Sequence, residues 1–112
     1  MDLSYSWEEL YEAVLGLAQG TGTVQERLID AFVDHLLKLK SSDLPSELQE
    51  EFTRLLEDVT WTAAQGDEEV LRAAVRAMDE EAAQNLIDRI VCTYDQIARR
   101  DPDDWFHPSG AA

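Results

Sequence analysis

Cysteine occurs once in this chain of 112 residues, at Cys92, so no internal disulfide can staple the fold and a reducing compartment suits it. Basic residues are scarce as well: nine lysines and arginines face 24 aspartates and glutamates, a formal net charge of −15. A surface of that sign repels phosphate backbones and anionic lipid heads over a Debye length, which removes direct nucleic-acid and membrane binding from the expected functions. No apolar run approaches the roughly 20 residues that cross a bilayer. The opening MDLSYSW has neither a basic start nor an apolar signal core, so the expected location is cytoplasmic.

Motifs for chemistry are missing too. There is no glycine-rich phosphate loop, no paired-cysteine zinc spacing and no serine elbow. No Glu-x-x-His pair supports a carboxylate-bridged metal bundle. The expectation is a protein without catalytic residues, cofactor or metal. Cys92 has Asp88, Asp95 and Arg99 around it on a helical projection, and nearby carboxylates discourage a thiolate.

Hydrophobic residues make up 45% of the chain, enough to build one core despite the charge. No useful segment alternates with period two, and no repeat of about 20 to 50 residues is visible, which argues against sheets and solenoids. The spacing predicts an all-α fold: a compact bundle of four longer helices and one short helix over residues 1–100, followed by an irregular acidic-aromatic tail, 101–112.

Ser6 and Glu9 in SWEE form a capping-box pattern that predicts a first helix with Trp7, Leu10, Tyr11, Val14, Leu17 and Ala18 on one face, closed near Gly20. TVQE, with Thr23 and Glu26, predicts a second helix to about Lys40, apolar around well over half its circumference and therefore central. After the SSDLP break, a third helix should run to about Ala64 on a stripe of Leu48, Phe52, Leu55, Leu56, Val59 and Ala63, with Gly66 ending it. Asp67 and Asp79 stand where caps of a short fourth and a long fifth helix are needed.

About half of the carboxylates lie near helix starts, where the macrodipole favours them, and the rest still leave a strongly negative surface. Long-range attraction of a basic protein follows from that field. At about 100° per residue, Trp61 falls opposite the core stripe of the third helix, in one outward sector with Glu47, Glu50 and Glu57. It is then either covered by the tail or the short helix, or the anchor of an interface with charges at its rim. Glu26, Asp30 and Asp34 form a second candidate surface, a carboxylate ridge at i, i+4 spacing, which a solvated helix face would also explain. His35, on the apolar side of the second helix, reads as a hydrogen-bonded boundary residue.

In the tail, Asp103, Asp104, Trp105 and Phe106 either fold back as a latch, over Trp61 or Trp7, or form an acidic-aromatic motif offered to a partner. The latch is the preferred reading, because an exposed ring pair invites aggregation and proteolysis.

The expected function is that of a non-enzymatic acidic protein-interaction module that restrains a basic partner, such as a nuclease or nucleic-acid-processing protein. Bacterial immunity proteins, antitoxins and nucleic-acid mimics share this physical profile. Two alternatives belong to other classes: a helical structural or regulatory subunit or homodimer, and a small metal-binding or enzymatic bundle built on the ridge and His35.

Overall fold

The computed structural model describes residues 3–61 and 66–100. Five α-helices follow one another: α1 (Ser4–Gln19), α2 (Val24–Asp34), α3 (Ser46–Asp58), α4 (Glu68–Arg76) and α5 (Glu80–Ala98). Two short 3-10 turns, Leu36–Lys38 and Ser41–Asp43, join α2 to α3. No strand occurs among the described residues. The fold is all-α, with α4 the short member of the bundle.

α2 is central, packing against α1, α4 and α5, as its broad apolar circumference requires. Leu28, Ile29, Ala31 and Phe32 are buried along it, and Phe32 is among the largest side chains shut off from solvent. α1 runs antiparallel to α2: Glu9 early in α1 meets His35 at the end of α2, and Arg27 early in α2 donates to the Leu17 carbonyl at 2.9 Å near the end of α1. α3 and α5 are antiparallel as well, with Arg100 paired to Glu47 at one end and Arg89 to Asp58 at the other. Leu48, Phe52, Leu55 and Val59 of α3 and its edge face Leu86, Ile90 and Ile97 of α5 within one continuous core.

Several helix starts have the predicted chemistry. Thr23 Oγ1 accepts the Glu26 N–H at 3.1 Å, Asp67 Oδ1 accepts the Glu69 N–H at 2.9 Å, and Asp79 Oδ1 accepts the Ala82 N–H at 2.8 Å. Each satisfies a donor the helix itself leaves unpaired. Gly20 closes α1 because Arg27 crosses its backbone: a Cβ there would stand 2.5 Å from Arg27 Cγ.

Four local expectations are corrected. α1 begins at Ser4, upstream of the predicted box; Ser6 is buried and its hydroxyl donates to the Leu3 carbonyl at 3.1 Å, so it caps nothing. The buried stripe of α1 is Ser6, Leu10, Ala13 and Leu17, while Tyr11 and Ala18 are exposed. Small Ala13 takes the place expected for larger residues, and the rings of α1 sit at the edge of the core. α2 ends at Asp34, well before Lys40, and the chain continues in a 3-10 turn that keeps both Leu36 and Leu39 buried.

The fourth correction concerns Trp61. α3 stops at Asp58 rather than running to Ala64 or Gly66. Thr60 takes a positive φ of 65°, its N–H donates to the Glu57 carbonyl at 2.8 Å, and the Trp61 N–H reaches back to the Leu56 carbonyl at 2.9 Å. These two bonds make a Schellman cap, with a threonine in the left-handed position that usually holds glycine. Trp61 therefore leaves the helical projection and packs half-buried against the core.

Candidate functional site

Glu26, Asp30 and Asp34 are spaced one helical turn apart on α2, and all three are exposed. Across from them the α1 surface is low, because Gly16 has no side chain and a Cβ built there would meet nothing within 4 Å. The result is an open groove of roughly 550 Å³ between α1 and α2, lined by the three carboxylates with His35, Ala31 and Gly16. Arg27, the cation inside it, is turned to the Leu17 carbonyl. Arg72 and Arg76 of α4 share a smaller recess of roughly 220 Å³ with Glu26 and Asp30 on the other side, but Arg72 is bonded to Glu68 at 2.8 Å. No ion pair involves any of the three ridge carboxylates among the described residues.

His35 closes the groove at one end. Its Nδ1 lies 3.0 Å from Glu9 Oε1, with the histidine side chain 25% and the glutamate 16% exposed. Nearby, the Tyr5 hydroxyl donates to the Lys38 carbonyl at 3.3 Å. Desolvation, followed by the negative charges of Glu9 and Asp43, raises the Tyr5 phenol above its ordinary value, so it stays neutral and able to donate.

The α3 sector is divided. Glu47 is paired with Arg100 and Glu50 with Arg54, so neither offers a bare charge. The Arg100 hydrogen bond, reinforced by a local backbone bond, holds the Glu47 carboxyl below its usual range. Glu57 and Trp61 instead line a second groove of roughly 470 Å³, with an apolar wall of Leu37, Phe52 and Leu56 and with Lys40 at its edge. Between α3 and α5, Arg89 bridges Glu51 at 3.0 Å and Asp58 at 2.6 Å. Burial opposes its charge, and the hydrogen bonds it donates to Asp58 and Glu51 outweigh that and raise its pKa.

Sequence reasoning missed an aromatic cluster on the α1/α5 seam. The rings of Trp7 and Tyr11 stack with centroids 5.2 Å apart, and Tyr94 lies 6.5 Å from Trp7 and 6.3 Å from Tyr11. Trp7 and Tyr11 lie on the face expected to be buried, yet Trp7 is half-buried, as is Tyr94, and Tyr11 is 38% exposed. The available signal was the i, i+4 spacing of two large rings on a helix whose other apolar positions already fill its inner face.

Cys92 is exposed. No group of three or more histidine, cysteine, aspartate or glutamate side chains is placed to hold a metal ion among the described residues. No helix there is long and apolar enough to cross a membrane. The candidate residues Asp103, Asp104, Trp105 and Phe106 lie outside the described residues. No family model matches the chain, and neither a curated protein nor a solved structure matches it.

Proposed function

We propose that this protein is an acidic interaction module that restrains a basic partner, and that the α1–α2 groove carries the contact through Glu26, Asp30 and Asp34. One observation supports this choice of surface above the others. The arginines are mostly committed within the fold, Arg54, Arg72, Arg89, Arg99 and Arg100 each to a carboxylate, while the ridge is left without an ion pair among the described residues.

Three like charges one turn apart oppose one another by a few tenths of a kcal/mol per pair. A lysine- or arginine-rich surface relieves that repulsion, and a row of carboxylates about 6 Å apart along a helix can stand in for phosphates before a nucleic-acid-binding cleft. The partner class is therefore a nuclease or another nucleic-acid-processing protein, with the module acting as an inhibitor of the immunity-protein or antitoxin kind and catalysing nothing itself.

The test is capture from a native host extract at low ionic strength, followed by association kinetics over a range of salt. A basic partner whose association slows as salt rises, and slows further with Asp30→Lys and Asp34→Lys, supports the reading. A salt-insensitive complex overturns it. A complex unaffected by ridge reversal but lost with Trp61→Ala moves the interface to the α3 groove.

A further inference from the structure

We propose that the groove between residues 37–41 and α3 binds a small zwitterion with an apolar body, in chemical class a free aromatic amino acid. The site is separate from the α1–α2 groove and independent of the partner reading above.

Its two sides carry opposite charges that the fold leaves unused. Lys40 and Ser41, from the link between α2 and α3, line one side; Thr53 and Glu57, one turn apart on α3, line the other. Lys40 makes no ion pair among the described residues, although Asp43 accepts its backbone N–H at 2.8 Å. Glu57 is the one carboxylate of α3 without an ion pair among the described residues: Arg100 takes Glu47, Arg54 takes Glu50, and Arg89 takes both Glu51 and Asp58. Nor do Lys40 and Glu57 pair with each other, although they line the same groove. A ligand with an anionic and a cationic group meets both.

Between the charges the lining is apolar. Leu37, Leu56 and Trp61 are partly buried against the core, and the fully buried Phe52 backs them. The volume, roughly 470 Å³, falls within the range of about 300–1,000 Å³ common for small-molecule sites. An aromatic body suits it, because a ring pairs with the Trp61 indole in offset or edge-on contact.

Charge argues against larger occupants. A basic segment sets its cations against Lys40; an acidic one meets Glu57 and, further out, the net charge of −15. A zwitterion has no net charge for that field to repel. Its carboxylate accepts from the Lys40 ammonium and the Ser41 hydroxyl, and its ammonium donates to the Glu57 carboxylate. Thr53 Oγ1 adds an acceptor on the same side, its own proton being given to the Gln49 carbonyl at 3.0 Å.

The experiment is an NMR titration of the full chain with L-phenylalanine, then with 3-phenylpropionate, which lacks the ammonium, and phenethylamine, which lacks the carboxylate. Saturable shifts are expected at the Leu37 and Leu56 methyls and the Trp61 indole N–H. Each analogue should bind about three- to tenfold more weakly than phenylalanine, having lost one hydrogen-bonded charge. Lys40→Gln, at an exposed position, should weaken phenylalanine and 3-phenylpropionate by a similar factor and leave phenethylamine unchanged. Glu57→Gln, also exposed, should weaken phenylalanine and phenethylamine and spare 3-phenylpropionate. Absence of a saturable shift with phenylalanine at these residues overturns the proposal. So does an analogue that binds as tightly as phenylalanine, which would mark a site for one charge or for none. If either variant fails to fold, the three ligands on the native chain still decide the matter.

Discussion

Glu9 and His35 meet across 26 residues of sequence, with His35 Nδ1 at 3.0 Å from Glu9 Oε1. The contact ties the first half of α1 to the end of α2, and both side chains are mostly shielded from water. It also explains the fate of a local signal: the glutamate that SWEE offers to a capping box is engaged by a different helix.

A double-mutant cycle separates the two roles. Glu9→Ala combined with His35→Ala should show a coupling of about 0.5–1 kcal/mol, measured from denaturant midpoints. Glu9→Ala combined with Ser6→Ala should be additive, because the Ser6 hydroxyl bonds the Leu3 carbonyl. Coupling between Ser6 and Glu9 instead would restore the capping box.

Helix starts were legible where the cap needs only one side chain and the adjacent turn. Thr23, Asp67 and Asp79 bond N–H groups two or three residues ahead, and nothing distant competes for them. Helix ends were less legible because they are set by tertiary contacts. The break at His35 has no glycine or proline to announce it; the Glu9 pair and the Tyr5 bond to the Lys38 carbonyl surround it. The ridge of the candidate site could be read from spacing alone. That it stays unpaired, while Glu47 and Glu50 do not, depends on where Arg100 and Arg54 fall in the fold.

Glu47 gives a pH prediction. Its carboxyl is held below its ordinary value of 4.5, chiefly by the Arg100 hydrogen bond. A folded-state value depressed below the unfolded one contributes stability that is complete above the unfolded value and is lost as pH falls through the folded one. Glu47→Gln should therefore lower the melting temperature at pH 7, and its difference from the native chain should shrink below about pH 4.5 and vanish in stronger acid. A difference that persists unchanged at low pH would mean that the Arg100 pairing is not its source.

Two glycines should respond with opposite sign. Gly16 lies inside α1 and a Cβ there meets nothing within 4 Å, so Gly16→Ala should stabilise the fold by about 1 kcal/mol through helix propensity. Gly20→Ala drives a Cβ to within 2.5 Å of Arg27 Cγ and 2.9 Å of the Gly16 carbonyl. It should destabilise by about 1–3 kcal/mol as Arg27 is displaced from the Leu17 carbonyl. Equal effects of the two changes, read by thermal unfolding, would contradict the close approach at Gly20.

The cap at the end of α3 joins strain to packing. Thr60, β-branched, is held at φ 65° by the bonds on either side of it, a conformation costing roughly 1–2 kcal/mol for such a residue. Trp61 supplies the opposing term: it is the residue that follows the left-handed position, and it lines the groove together with Leu56, the two positions between which an apolar closure accompanies this motif. Thr60→Gly should raise stability by up to about 1 kcal/mol, the relief of strain being reduced by the greater freedom of glycine in the unfolded chain. Trp61→Ala should lower it by about 2 kcal/mol, less than the ~3–5 kcal/mol of a fully buried ring, because the indole is incompletely buried. Both shifts are read as changes in urea midpoint at constant slope. A neutral Trp61→Ala would show that the cap stands without its ring and would return Trp61 to the role of a binding anchor.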